Sequence, residues 1–123
     1  MDSNRPRRKV LVVDDEKVIA DMLAIILNQN GYEASAVYSG RSAVDRAKEL
    51  NPDLVISDVI MQDMNGIEAA IAIRSVLPST KILLFSGQAA TADLLENARA
   101  QGHEFEILAK PVHPQDLLAK IKG

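Results

Sequence analysis

The sequence predicts a single α/β domain in which five strands form one parallel sheet with helices on both faces. Three observations carry that expectation. Five short apolar runs alternate with five stretches of helical periodicity along the 123 residues, and strict strand–helix alternation points to parallel strands joined by right-handed crossovers. The first run, Val10-Leu11-Val12-Val13, is apolar at every position, as suits a strand covered on both faces. The 47% hydrophobic content includes only two Tyr, two Phe and no Trp, so the core of this one-domain chain is aliphatic and large enough to fold.

Each element follows in order. The first strand covers residues 9–13. Residues 16–30 set Val18, Ile19, Met22, Leu23, Ile26 and Leu27 along one helical stripe, with Gly31 placed to stop it. Residues 33–38 alternate, with Ala34 and Ala36 on one face. Ser39 can cap a helix running to about Leu50, with Ala43, Val44, Ala47 and Leu50 inward. Pro52 separates it from a strand at residues 53–57. A third helix opens near Asn65, carries Ile67, Ala70, Ile71, Arg74 and Leu77 along one side, and ends at Pro78. The fourth strand covers residues 80–85. A helix over 91–101 follows, with Leu94, Leu95 and Ala98 inward and Gly102 beyond it. Residues 105–109 make the fifth strand. Pro114 opens the last helix, where proline is tolerated in the first turn, and Leu117, Leu118 and Ile121 are its buried stripe. The second strand is the least hydrophobic and belongs at an edge, which gives the order 2-1-3-4-5 of a flavodoxin-like doubly wound sheet. Residues 1–8 read as a flexible tail before a domain of residues 9–123, and Arg5, Arg7, Arg8 and Lys9 as its solvated flank.

Composition excludes several classes. With no cysteine, disulfides, thiolate zinc sites and cysteine nucleophiles are ruled out, and a cytoplasmic, reducing setting fits. A net charge of −3 gives no reason to expect nucleic-acid or membrane binding. No apolar stretch approaches the ~20 residues that span a bilayer, and no secretory signal opens the chain. His103 and His113 have no partner at metal-ligand spacing.

Ligands of open parallel sheets bind beyond the carboxyl ends of the strands. Four of these runs end in chemically useful groups: Asp14 and Asp15 after the first, Asp58 after the third, Ser86 and Gly87 after the fourth, Lys110 after the fifth. Any one of them alone is an ordinary loop residue. Together they suit phosphoryl transfer, which needs a nucleophile, a divalent cation, a fixed positive charge and a hydroxyl donor. Asp58 would be the nucleophile, Asp14 and Asp15 would help hold Mg²⁺, Lys110 would pair with Asp58 and then with a phosphoryl oxygen, and Ser86 would donate its hydroxyl. Two adjacent carboxylates raise each other's pKa, and a hard cation with oxygen ligands relieves that.

These residues, with Val12-Val13-Asp14-Asp15-Glu16, Asp53-Leu54-Val55-Ile56-Ser57-Asp58, Met61-Gln62-Asp63-Met64-Asn65-Gly66, Ser86-Gly87 and Ala109-Lys110-Pro111, resemble a response-regulator receiver domain of two-component signalling, apparently of the stand-alone type. The resemblance implies that Asp58 accepts a phosphoryl group from a histidine kinase or phosphotransfer protein. It implies that Asp14, Asp15, Asp58 and the Ile60 backbone carbonyl ligate Mg²⁺, and that Ser86 takes the hydroxyl switch position. It also implies a cis Lys110–Pro111 bond. Output would pass to a downstream protein through the face of the fourth helix, fifth strand and fifth helix, from a monomer or a phosphorylation-linked dimer. The chain would not be an enzyme beyond its own phosphorylation and slow dephosphorylation.

Three positions depart from the pattern. Gln62 stands where such domains usually have proline after Met61, which frees an N–H and loosens the turn. Ile107 stands where an aromatic switch residue is usual, with Phe105 two residues earlier. Ile60 cannot orient a hydrolytic water near Asp58, although Gln88 could offset this, and slow loss of the phosphoryl group is expected. Other readings fit less well. A flavin-binding electron carrier needs a phosphate loop where this chain has two carboxylates. A phosphorylation-independent pseudo-receiver usually lacks one of the site residues. An aspartyl-phosphate phosphohydrolase needs an Asp-x-Asp pattern around its nucleophile.

Overall fold

The computed structural model describes residues 7–87, 91–110 and 113–122. Ten elements alternate: β1 (Lys9–Val13), α1 (Lys17–Gln29), β2 (Glu33–Val37), α2 (Gly40–Leu50), β3 (Leu54–Asp58), α3 (Gly66–Val76), β4 (Lys81–Ser86), α4 (Thr91–Ala100), β5 (Glu106–Ala109) and α5 (Pro114–Lys122). All strand pairs are parallel, in the order β2-β1-β3-β4-β5. The expected flavodoxin-like topology is therefore the observed one, and the expected boundaries hold to within about two residues.

The sheet is buried on both faces because alternate residues of the central strands feed two separate apolar clusters. Leu11, Val13, Val55, Ile82 and Leu84 point to the side covered by α2, α3 and α4. Val10, Val12, Leu54, Ile56, Leu83 and Phe85 point to the side covered by α1 and α5. Period-two alternation of side chains produces this division, and it requires the near-continuous apolar runs read in β1 and β3. The register pairs Val13 with Ser57, Asp58 with Phe85 and Ser86 with Ala109. The carboxyl ends of β1, β3, β4 and β5 are therefore level, and the loops that follow them meet at one edge.

Local signals agree with the tertiary result. Ser39 Oγ accepts from Ser42 N at 3.1 Å and caps α2. Asn65 and Glu68 form a reciprocal capping box at the start of α3. Gly31 follows α1 with φ +92°, a conformation that costs glycine nothing.

Helix α1 departs from the expected stripe. Ala20, Leu23, Ala24 and Leu27 are its buried residues, whereas Val18 is 80% exposed and Met22 46% exposed. The helix is apolar on more than one side. Its small residues, Ala20 and Ala24, let it lie close against the sheet, and this turns Val18, Met22 and Ile25 to solvent. In α3, Ala69 and Ile73 are buried in addition to Ile67 and Ala70.

Candidate functional site

Asp14 follows β1 and is 1% exposed, and Asp58 closes β3 at 7%. Asp15 is half-buried beside them. Carboxylate oxygens of Asp14, Asp15 and Asp58 all lie within 4.8 Å of one another. Lys110 Nζ donates to Asp58 Oδ2 at 2.8 Å. The lysine is placed from its own backbone, since Lys110 N donates to the Ser86 carbonyl at 3.1 Å and continues the β4–β5 ladder past the end of β5. Ser86 is half-buried at the end of β4. Ile60 N approaches Asp58 Oδ1 at 3.4 Å, and the Ile60 side chain is 44% exposed. The structure thus brings together Asp14, Asp15, Asp58, Ser86, Ile60 and Lys110.

The electrostatics are those of three carboxylates sharing one lysine. Burial is the main reason the Asp14 carboxyl is raised above its ordinary value, and Asp58 adds to it. The bond from Glu16 N to Asp14 Oδ1, 3.0 Å long, opposes the shift without cancelling it. The other oxygen, Asp14 Oδ2, is buried without a hydrogen-bond partner. Burial pulls the Lys110 ammonium down, but its hydrogen bond to Asp58 and the charges of Asp58 and Asp14 outweigh that, and the net shift is upward. An orphaned, buried carboxylate oxygen within reach of two further carboxylates is the donor set a hard divalent cation takes.

Backbone contacts fix the loop after Asp58. Gly66 N donates to the Val59 carbonyl at 2.7 Å, and a Cβ on Gly66 would overlap the Asp58 carbonyl oxygen. Only glycine lets α3 start this close to the end of β3. Ser57 Oγ donates to the Asp58 carbonyl at 3.0 Å from a buried position.

Two side chains, Asp63 and Arg74, make contacts that lay beyond reading from the sequence. Asp63 accepts from the backbone N–H groups of Gly40 and Arg41, each at 3.1 Å. The Arg74 guanidinium lies 4.2 Å from the Phe105 ring centroid, and the same side chain donates to the Glu104 carbonyl at 3.1 Å. Phe105 precedes β5, is half-buried and packs on the α3 side with Ile107. It is stacked under an arginine on the face Ile107 also occupies. Gln88 and the Lys110–Pro111 bond involve residues outside those described.

The family described as "Response regulator receiver domain" matches residues 10–122. The chain is 38% identical over 108 residues to the chemotaxis protein CheY of Thermotoga maritima, covering 87% of this chain and 88% of that protein. It is 29% identical over 117 residues to the DNA-binding response regulator MtrA of Mycobacterium tuberculosis, covering 95% of this chain but only 50% of that protein. The chain therefore spans about half the length of that longer relative. Among solved structures, chemotaxis protein CheY4 of Vibrio cholerae superposes with a TM-score of 0.83 at 33% identity, covering 95% of this chain and 98% of that one. A CheY-like receiver domain from Methanospirillum hungatei gives 0.85 at 26% identity, covering 95% and 92%. A match along nearly the whole chain, on a sheet of the expected order, makes this protein a member of the response regulator receiver domain family of two-component signalling.

Proposed function

We propose that Asp58 is the phosphoacceptor of this receiver domain, taking a phosphoryl group from a histidine kinase or a histidine phosphotransfer protein. The observation that supports this best is the 2.8 Å ion pair between Asp58 and Lys110 beside the carboxylates of Asp14 and Asp15. In the step, a carboxylate oxygen of Asp58 attacks phosphorus, the P–N bond to the donor imidazole breaks, and the imidazole leaves as the neutral ring after taking up a proton. The product is an acyl phosphate. Lys110 begins paired with Asp58 and follows the charge onto a phosphoryl oxygen, and the Ser86 hydroxyl donates to another.

Asp14, Asp15, Asp58 and the Ile60 carbonyl would hold Mg²⁺. The bound ion offsets negative charge on the phosphoryl oxygens and on the three carboxylates. The unpartnered Asp14 Oδ2 supports this choice, since a buried carboxylate oxygen needs a counter-charge. In this reading the modified site acts through α4, β5 and α5, which continue from the β4–β5 end that carries Ser86 and Lys110, and a downstream protein reads that face.

The test is incubation with Mg²⁺ and acetyl phosphate, followed by intact mass, beside Asp58→Ala. One added phosphoryl group on the wild type, absent from the variant and absent with chelator, is the expected result. No adduct under these conditions would reject the phosphoacceptor reading and favour a phosphorylation-independent interaction module.

A further inference from the structure

The loop of residues 59–65 joins β3 to α3 and carries Ile60, the residue whose carbonyl completes the proposed Mg²⁺ ligand set. Its two ends are fixed, the first to β4 and the second to α3. Val59 N donates to the Phe85 carbonyl at 3.1 Å, Gly66 N donates to the Val59 carbonyl, and Asn65 caps α3. Met61 is buried and packs into the core on the α3 side. The stretch between lacks the proline that such domains usually have after the methionine. Gln62 leaves that φ free, so something else must hold the turn.

Asp63 is exposed to solvent, yet both of its carboxylate oxygens are engaged. Oδ1 accepts from Gly40 N and Oδ2 from Arg41 N, each at 3.1 Å. These are the first two N–H groups of α2, donors that no residue of the helix itself can satisfy. The two bonds, Arg41 first, hold the Asp63 carboxyl below its usual value. A negative charge at a helix N-terminus is favourable in its own right. Ser39 accepts from Ser42 N, and Asp63 takes the two N–H groups before it, so the first turn of α2 is tied to its own cap and to the loop together. The backbones are also in contact. A Cβ on Gly40 would lie 2.9 Å from Met64 Cβ and 3.0 Å from the Met64 carbonyl oxygen. The loop is thus braced sideways against α2 at two successive residues, Asp63 and Met64.

We propose that Asp63 is a positioning residue for the metal loop. Its carboxylate ties residues 59–65 to the first turn of α2, does the work that proline at position 62 would otherwise do, and so presents the Ile60 carbonyl to Mg²⁺. The inference rests on the proposed reading of the site. It assigns no contact between Asp63 and the ion.

The experiment compares wild type, Asp63→Ala, Asp63→Asn and the double variant Gln62→Pro/Asp63→Ala. Mg²⁺ affinity is measured by calorimetry, and amide exchange of residues 59–65 is followed in chelated protein. Asp63→Ala should weaken Mg²⁺ binding about tenfold, within the range seen when groups outside the ligand set are removed. It should also speed exchange in the loop before any metal is added. Asp63→Asn keeps one acceptor oxygen and should lose less, which provides the test if the alanine variant folds poorly. Adding Gln62→Pro should restore affinity. A merely structural cap would lower Tm without this rescue. Unchanged Mg²⁺ affinity in Asp63→Ala, or a loss that Gln62→Pro leaves in place, would overturn the inference. Failure of the wild type itself to bind Mg²⁺ would reject the reading of the site and this inference with it. A wild type that binds beside an unaffected Asp63→Ala would reject this inference alone.

Discussion

Asp14 is held at the site against its own preference for water. Its Oδ2 is buried without a partner, and its carboxyl is raised above 3.8 by burial first and by Asp58 as well. A carboxyl whose folded value is raised binds its proton more tightly in the folded state. Its contribution therefore favours folding below 3.8 and is lost as pH rises through the raised value. In chelator, Asp14→Asn should be the more stable protein at neutral pH by about 1–2 kcal/mol, since the amide can donate where the carboxylate oxygen has no partner. The advantage should shrink as pH falls toward 3.8, which thermal melts at several pH values will read. The same variant should lose Mg²⁺ binding. Ile60 makes a separate prediction at this scale. Its exposed apolar side chain, two residues past Asp58, offers nothing to hold a water. Ile60→Asn should speed loss of the phosphoryl group on the order of tenfold, a small share of what full positioning can supply. The decay of intact mass after donor removal measures it, and an unchanged rate would show that Ile60 does not govern water access.

At the scale of the element, α1 and α3 pose opposite problems. The α1 helix has more apolar residues than one face can bury, and packing selects among them. Val18→Lys should change stability by less than about 0.5 kcal/mol, because the residue is 80% exposed. Leu23→Ala on the buried face should cost about 2–5 kcal/mol. Urea midpoints will separate the two. In α3 the start is set by backbone proximity. Gly66→Ala places a methyl group into the Asp58 carbonyl and should destabilise by about 2–3 kcal/mol or more. It should also impair phosphorylation, since the strand end that carries Asp58 must shift to make room. Loss of stability with an unchanged phosphorylation rate would mean that the strain is absorbed by α3 alone. The stacking of Arg74 on Phe105 ties α3 to the start of β5, on the side of the sheet where Ile107 also packs.

For the whole molecule, the acidic edge should couple Mg²⁺ binding to folding. Three carboxylates gathered at the carboxyl ends of β1 and β3 repel one another in the metal-free protein. Mg²⁺ should relieve this. At about 100 times the dissociation constant, mass action adds roughly 2.7 kcal/mol. For a chain of this size the melting temperature should rise on the order of 10 °C. Ca²⁺-free melts of wild type and Asp14→Asn with and without Mg²⁺ will check it, and the variant should show no rise. Equal shifts in both would place the ion elsewhere. Among the described residues no helix is long and apolar enough to cross a membrane, and the two apolar clusters on the sheet faces account for the burial of every central strand.

By itself the sequence determined the alternation of elements, the strand order and the set of groups that meet at one edge of the sheet. All of these follow from local regularities. A buried parallel strand is largely apolar, so its end is marked where a charge first appears, as at Asp14 and Asp58, and Lys110 follows the apolar run Ile107-Leu108-Ala109 of the edge strand β5. Capping residues such as Ser39 and Asn65 act within one turn and were legible for the same reason. Tertiary structure decided what depends on surfaces meeting across the chain. Which apolar face of α1 is buried depends on how closely Ala20 and Ala24 let it approach the sheet. Phe105 is held by an arginine 31 positions away, and Asp63 by a helix that begins 23 positions earlier. No periodicity encodes such pairings, because each side chain satisfies its local pattern equally well without its partner.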